Sequence, residues 1–251
     1  MAKISLFEQL VYGTLGRLMA RSAQKTLLSR ELKFENGAVG RWLKPDIERY
    51  RQAASRKACE IGRTDTERLP SFGSRIMVEM TVRTIAAYRA LLDAGVERNC
   101  ARQLVADIVW DIYSTMLGLY SWPFRLTTRD PSKRISRTIK ALLWFPFQAT
   151  GAPGYAVDHW DTDGNTYTHF THCPPHSFVR ALIASGDDQG DLDAFRESWC
   201  RYDWPGADIL AADGLRGHYE RRQTLSHGDG VCDMCWRGRA KRRAVETQQP
   251  V

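Results

Sequence analysis

The sequence predicts an α+β fold, with a helical N-terminal half packed on a small antiparallel sheet formed mainly by the C-terminal third. Three observations predict it. Up to about Trp144, apolar residues recur at three- and four-residue steps, the period of a helix. Pro146, Gly151, Pro153 and Gly154 then break that pattern. Beyond the break, short stretches alternate residue by residue around turn-forming tracts, the period of a strand.

The elements follow in order. Phe7, Leu10, Val11, Leu15, Leu18 and Met19 make one apolar stripe and predict a first helix. Pro45 predicts the start of a second, because a missing N–H costs nothing in a first helical turn; its end is expected near Gly62. Ile76, Met80, Ile85, Tyr88 and Leu91 belong to a strongly apolar third helix with Gly95 as its stop. A fourth is expected from about Val96 to Tyr120, ended by Pro123, with Leu104, Ile108 and Ile112 on its core face. Asp107 and Asp111 lie four apart on that helix with Arg98 and Arg102 nearby, the pattern of a surface charge network. Asp130-Pro131 opens a fifth helix that continues to about Trp144.

After the break, residues 155–160 and 166–172 read as strands joined by a hairpin turn over Asp161–Asn165. Helices are expected over Ser177–Ala184 and Asp191–Tyr202. Residues 218–225 and 231–236 then read as a second hairpin, with Gly228 and Gly230 in its turn. The chain divides into a single α+β domain over 1–236, with 1–145 mainly helical and 155–236 rich in Cys and His, and a basic tail at 237–251 expected to be disordered.

The chain has 251 residues, 43% of them hydrophobic, enough to bury a sizeable core. Its net charge of +7 is concentrated locally. Arg237, Arg239, Lys241, Arg242 and Arg243 crowd the end; Arg125, Arg129, Lys133, Arg134, Arg137 and Lys140 form a second stretch. No helix-turn-helix, zinc-finger or RNP pattern accompanies them, so there is no specific nucleic-acid signal. The second stretch beside Leu142–Phe147 leaves a weak contact with an anionic membrane surface open. Glu8 and Gln9 interrupt the N-terminal apolar stretch, and no run nears the roughly 18 apolar residues of a membrane span, so a cytoplasmic location is expected. In a reducing compartment the six cysteines are thiols, ligands or nucleophiles rather than disulfides.

All six histidines lie after residue 158, and four of the six cysteines after residue 172. Imidazole and thiolate are the groups that bind transition metals or act as base and nucleophile near neutral pH. Three segments stand out: His172-Cys173-Pro174-Pro175-His176, then Cys200-Arg201-Tyr202-Asp203, then Thr224-Leu225-Ser226-His227-Gly228-Asp229-Gly230-Val231-Cys232-Asp233. Cys232 and Cys235 make a CxxC pair, which with Cys173 and His176 is a possible zinc set, although no second CxxC exists. Cys59 and Cys100, in the helical half, read as small apolar fillers.

In order and wording these segments resemble the L-2-amino-thiazoline-4-carboxylic acid hydrolase-like family: Cys173-Pro174 at a strand end, Cys200-x-x-Asp203, and Arg221-x-x-Thr224-Leu225-x-x-Gly228-Asp229-x-x-Cys232-Asp233. The similarity covers about residues 155–236. Met234, Cys235 and Trp236 depart from the aromatic that the family carries two residues after the cysteine of its final Cys-Asp pair. The resemblance implies a hydrolase acting on a C–N bond of a small cyclic amidine or related heterocycle, 2-aminothiazoline-carboxylate-like, whose carboxylate Arg221 could pair with. Cys173, His176, Cys200, Asp203, Cys232 and Asp233 would be catalytic; Arg221 and His172 would bind the substrate. Two mechanisms suit these residues. In one, Cys173 attacks with His176 or His172 as base. In the other, Cys173, Cys200 and Cys232 with Asp203 or His176 hold a divalent metal such as zinc that activates water. The alternative is a 4-vinyl-reductase-like module that binds a small molecule or metal without catalysis. Because Cys232 and Asp233 are neighbours on a predicted strand, only one of the two is expected to enter a shared pocket. The oligomeric state is not legible.

Overall fold

The computed structural model describes residues 6–62, 68–186 and 188–241. Within them the chain is α+β as expected. Helices α1 (Leu6–Ser29), α2 (Lys44–Ile61), α3 (Phe72–Asp93), α4 (Arg98–Thr127) and α5 (Pro131–Trp144) fill the first part, and a short hairpin, β1 (Leu32–Lys33) with β2 (Val39–Gly40), links α1 to α2. The sequence pattern gave no sign of that hairpin. After the break come β3 (Ala156–Thr162), β4 (Asn165–His172), α6 (Pro174–Ala184), α7 (Asp191–Ser198), α8 (Asp203–Ala211), β5 (Tyr219–Glu220) and β6 (Cys232–Trp236). The four late strands form one antiparallel sheet in the order β3-β4-β6-β5.

The helix starts follow local chemistry. Ser71 accepts from the Ser74 N–H before α3, Glu97 from the Asn99 and Cys100 N–H groups before α4, and Asp130 from the Ser132 N–H before α5. Each satisfies backbone donors that a helix leaves open. Pro123 does not end α4, which runs on to Thr127. Proline removes the bond to the Leu119 carbonyl, and Leu119 lies on the exposed face of the helix. The buried face of α1 also differs from the predicted stripe. Leu15, Met19, Ala23 and Leu27 are buried, but Phe7, Leu10 and Leu18 are exposed. Asp107 and Asp111 do belong to a surface network, but their partners are Arg30 and Lys25 on α1.

Two cores result. One joins α1 to α4 around Leu27, Tyr88, Leu91 and Ile108. The other packs α5 and α8 on the sheet around Ile135, Ile139, Leu210 and Trp236. Leu142 is buried, and Leu143 and Phe147 face an interior cavity, so of the 142–147 stretch only Trp144 is strongly exposed. The basic stretch is partly committed inside: Arg134 donates to the Ala211 and Ala212 carbonyls at the end of α8, and Arg125 to the Ile209 carbonyl. Among the described residues no helix is long and apolar enough to cross a membrane.

Two boundaries are corrected. The second hairpin is not a tight Gly-Asp-Gly turn. Tyr219 pairs with Trp236 and Glu220 with Cys235, leaving a long 221–231 loop with a helical turn at Leu225–His227; Gly228 alone of its two glycines has positive φ. The tail expected to be disordered from 237 is held to the domain through Lys241. The Arg237 N–H donates to the His218 carbonyl (2.7 Å), its guanidinium pairs with Glu220, and the Lys241 N–H donates to the Gly217 carbonyl (3.1 Å). Residues 242–251 of that tail lie outside the described residues.

Gly73, at the start of α3, touches the segment that carries Phe147. A Cβ there would sit 2.2 Å from the Pro146 carbonyl oxygen, a backbone atom that cannot swing aside. Gly73→Ala is expected to lower unfolding stability by about 1–3 kcal/mol. In α4, a Cβ on Gly118 meets nothing within 4 Å, and Gly118→Ala is expected to raise stability by about 0.4–1 kcal/mol. Urea melts of the two variants check the contrast.

Candidate functional site

Strand alternation decides which late side chains meet. In the β4–β6 pairing Phe170 faces Cys232, Thr168 faces Met234 and Thr166 faces Trp236. Phe170, Thr168, Cys232, Met234 and Trp236 point to the inner face, where they wall a cavity of about 120 Å³. Helices supply the facing wall: Met77 and Thr81 from α3, Tyr113 from α4, Ile139, Leu142 and Leu143 from α5. Phe195, Trp199, Cys200 and Asp203 enter from α7 and the turn after it; Cys173 and Pro175 enter from the start of α6; Arg221 enters from the long loop. The three thiol-bearing segments therefore meet at one cavity.

Cys173 is the residue before α6. Pro174 and Pro175 occupy the first two helical positions and have no N–H, so the first free backbone donor of that helix belongs to His176. Burial raises the Cys173 thiol pKa; the His176 N–H opposes this, while Cys200, Cys232 and Asp203 add to it. Cys200 is pushed up to about 12, first by burial and then by Asp203, with Arg221 and a hydrogen bond from Ser226 opposing. Cys232 is also raised by burial, against hydrogen bonds from Thr224 (3.3 Å) and the Leu225 N–H (3.3 Å). All three are neutral thiols at rest.

Asp203, at the start of α8, is the only carboxylate in the wall among the described residues. Burial raises its pKa to about 6, while Arg221 and the Tyr219 and Tyr113 hydroxyls pull it down. Arg221 Nη1 donates to Oδ2 (2.8 Å), Tyr219 OH to Oδ2 (3.3 Å) and Tyr113 OH to Oδ1 (3.4 Å). Arg221 also donates through Nη2 to the Cys200 carbonyl (2.9 Å) and lies 4.7 Å over the Trp204 ring. Burial works against its charge, but Asp203 outweighs this and holds it protonated.

Of the residues predicted from sequence, Cys173, Cys200, Asp203, Cys232 and Arg221 line the cavity, and His172, His176 and Asp233 do not. The His172 ring is held by the Gly154 carbonyl (2.6 Å) and by Ser177 Oγ (3.0 Å). His176 offers its backbone N–H rather than its imidazole, whose pKa is lowered by burial and then by Arg180 and His172. Asp233 lies on the outer face, where its carboxylate accepts from the Arg222 (2.9 Å) and Gln223 (2.6 Å) N–H groups and braces the long loop. Thus of the neighbours Cys232 and Asp233 only the cysteine enters the cavity. Cys235 lies three positions along the strand from Cys232, hence on the opposite face, so the CxxC pair cannot share one ion. Among the described residues no group of three or more His, Cys, Asp or Glu side chains is arranged to hold a metal ion.

Sequence reading missed Tyr113, Tyr219 and Trp204, which hold Asp203 and Arg221. No local pattern marks them: they are aromatics among apolar neighbours, and only the packing of α4 and β5 against α8 reveals their role. No family model, curated protein or solved structure matches the chain.

Proposed function

We propose that the protein is a hydrolase acting on a C–N bond of a small cyclic amidine or related heterocycle, with Cys173 as nucleophile and Asp203 as proton carrier. The observation that carries this reading is the meeting of Cys173, Cys200 and Cys232, from three separate segments, around one cavity whose only carboxylate has a pKa near 6. Asp203 replaces His176 and His172 as the base, since no histidine is among the cavity-lining residues.

The reaction balances without other groups. The Cys173 proton passes to Asp203, and the thiolate adds to the amidine carbon. The C–N bond breaks, and the leaving nitrogen takes the proton from Asp203. Water then attacks the thioester-like carbon and gives a proton to Asp203. The C–S bond breaks, and that proton returns to Cys173. The α6 N-terminus, with its His176 N–H, favours the transient thiolate.

The test is an assay of a panel of cyclic amidines and thiazolines with mass detection of ring opening. Turnover of at least one is expected, with Cys173→Ala slower by about 100-fold or more and a covalent adduct found on Cys173 in the unaltered protein. The rate should rise with pH through about 6 as Asp203 ionises, and Asp203→Asn should remove that limb. No turnover of any panel member would overturn the hydrolase reading. The neutral thiols and apolar walls support a second reading, a 4-vinyl-reductase-like binding module without catalysis, which predicts binding with no ring opening.

A further inference from the structure

The charged groups and the threonines of the cavity wall are already served by the protein. The Thr81 hydroxyl donates to the Met77 carbonyl (2.9 Å), and Thr168 Oγ1 accepts from Trp236 Nε1 (3.0 Å). Arg221 is divided between Asp203 and the Cys200 carbonyl, and Asp203 receives Arg221 and two tyrosine hydroxyls. The wall's one cation and one anion cancel each other. The rest of the lining is mostly aliphatic and aromatic side chains, with three thiols.

A charged ligand entering such a space loses hydration and finds no free counter-ion, which disfavours it strongly. In particular, a ligand carboxylate would have to displace Asp203 from Arg221, leaving one of two buried carboxylates unpaired. The volume sets a second limit. An apolar cavity of ~150 Å³ stays dry and admits benzene, so about 120 Å³ admits one five- or six-membered ring with a small substituent.

We infer that this cavity selects an uncharged, compact, single-ring molecule with apolar faces, and discriminates against carboxylate-bearing rings of the same size. The inference rests on the proposed site and narrows its substrate class to rings whose C=N is unprotonated at working pH: the ring offers that polar C=N to the thiols and its carbon edges to Met77, Leu143, Phe170 and Met234. Arg221 then has no substrate carboxylate to bind and serves to hold Asp203.

The test uses the full chain labelled with 13C at the methionine methyls and two probes, 2-methyl-2-thiazoline, neutral at pH 8, and 2-amino-2-thiazoline-4-carboxylate. The neutral ring should shift the Met77 and Met234 methyl signals, leave Met19 in the helical core unmoved, and bind roughly tenfold or more tightly than the carboxylate. Leu143→Trp, which fills the cavity, should abolish the shifts while near-ultraviolet circular dichroism stays native; should that variant not fold, the comparison of the two probes on the unaltered chain decides alone. Equal or tighter binding of the carboxylate, or no Met77 and Met234 shift with the neutral ring, overturns the inference. Ring opening followed in the same tubes separates the two ideas. Neutral-ring binding without turnover sustains the inference and counts against hydrolysis. Turnover of the carboxylate with no neutral-ring binding does the reverse.

Discussion

Asp203→Leu is expected to lower unfolding stability by about 3–5 kcal/mol, and Arg221→Met by clearly less, although the two side chains form a single ion pair. The asymmetry comes from what the survivor can do. Arg221 is 5% exposed and Asp203 11%. A guanidinium cannot shed its proton, so without Asp203 it stays charged in an apolar wall, left with the Cys200 carbonyl, the Trp204 and Tyr219 rings and, among the described residues, no anion. A carboxyl can take up a proton, and Asp203 without Arg221 would do so while keeping its tyrosine partners. The double variant Asp203→Leu/Arg221→Met should be more stable than Asp203→Leu alone, because no lone charge remains buried. The pH dependence separates the singles. In Arg221→Met the folded-state pKa of Asp203 lies further above its unfolded value. The folded state then holds more protons, so that variant is most stable at low pH and loses stability as pH rises through the raised pKa. Asp203→Leu has no such group and shows no loss from this source. Urea melts at pH 5 and pH 8 for the four proteins read both effects. A double variant no more stable than Asp203→Leu would mean that Arg221 finds another counter-ion.

What could be read from the sequence follows from which interactions are local. Helix and strand periods, the cap at Asp130 and the turn at Asp163–Gly164, both with positive φ, depend on neighbours in the chain, and the α+β reading rests on them. The convergence of Cys173, Cys200 and Cys232 is what the family resemblance implies. Alternation on β6 further indicated that only one of Cys232 and Asp233 would face inward. The roles of His172 and His176 were not legible, because ring orientation depends on a contact with Gly154 and on two prolines setting which N–H is free. Nor was the pairing of Arg221 with Asp203. An arginine three positions before a Thr-Leu pair reads as a free cation until α8 delivers a carboxylate to it. Likewise the 191–202 segment reads as one helix, yet it breaks at Trp199, and this break aims Trp199, Cys200 and Asp203 at the cavity.

That break depends on how α7 is anchored, and the anchor is a second buried ion pair. Arg89 on α3 meets Asp191, the first residue of α7, through two bonds, Nε to Oδ1 at 3.0 Å and Nη2 to Oδ2 at 2.6 Å, with side chains 8% and 0% exposed. Asp191 serves α7 twice, as counter-ion to Arg89 and as a negative charge at a helix N-terminus. Asp191→Ala should lower stability by about 3–5 kcal/mol, since it breaks both bonds of this buried ion pair. Asp193, two residues on, is the contrast. It also pairs with arginines, Arg102 and Arg196, but its side chain is 42% exposed, and Asp193→Ala should change stability by about 0.5 kcal/mol or less. Burial, not the number of ion pairs, decides the difference. The consequence reaches the cavity, because α7 and the turn after it place Phe195 and Trp199, whose Nε1 donates to Thr84 Oγ1 (3.2 Å). In Asp191→Ala, kept below its unfolding midpoint, binding of 2-methyl-2-thiazoline should weaken along with stability, while Asp193→Ala binds as the unaltered protein does. Near-ultraviolet circular dichroism and the Met77 methyl shift report the two effects separately. Unchanged binding in Asp191→Ala would show that the cavity wall holds its shape without the α3–α7 anchor.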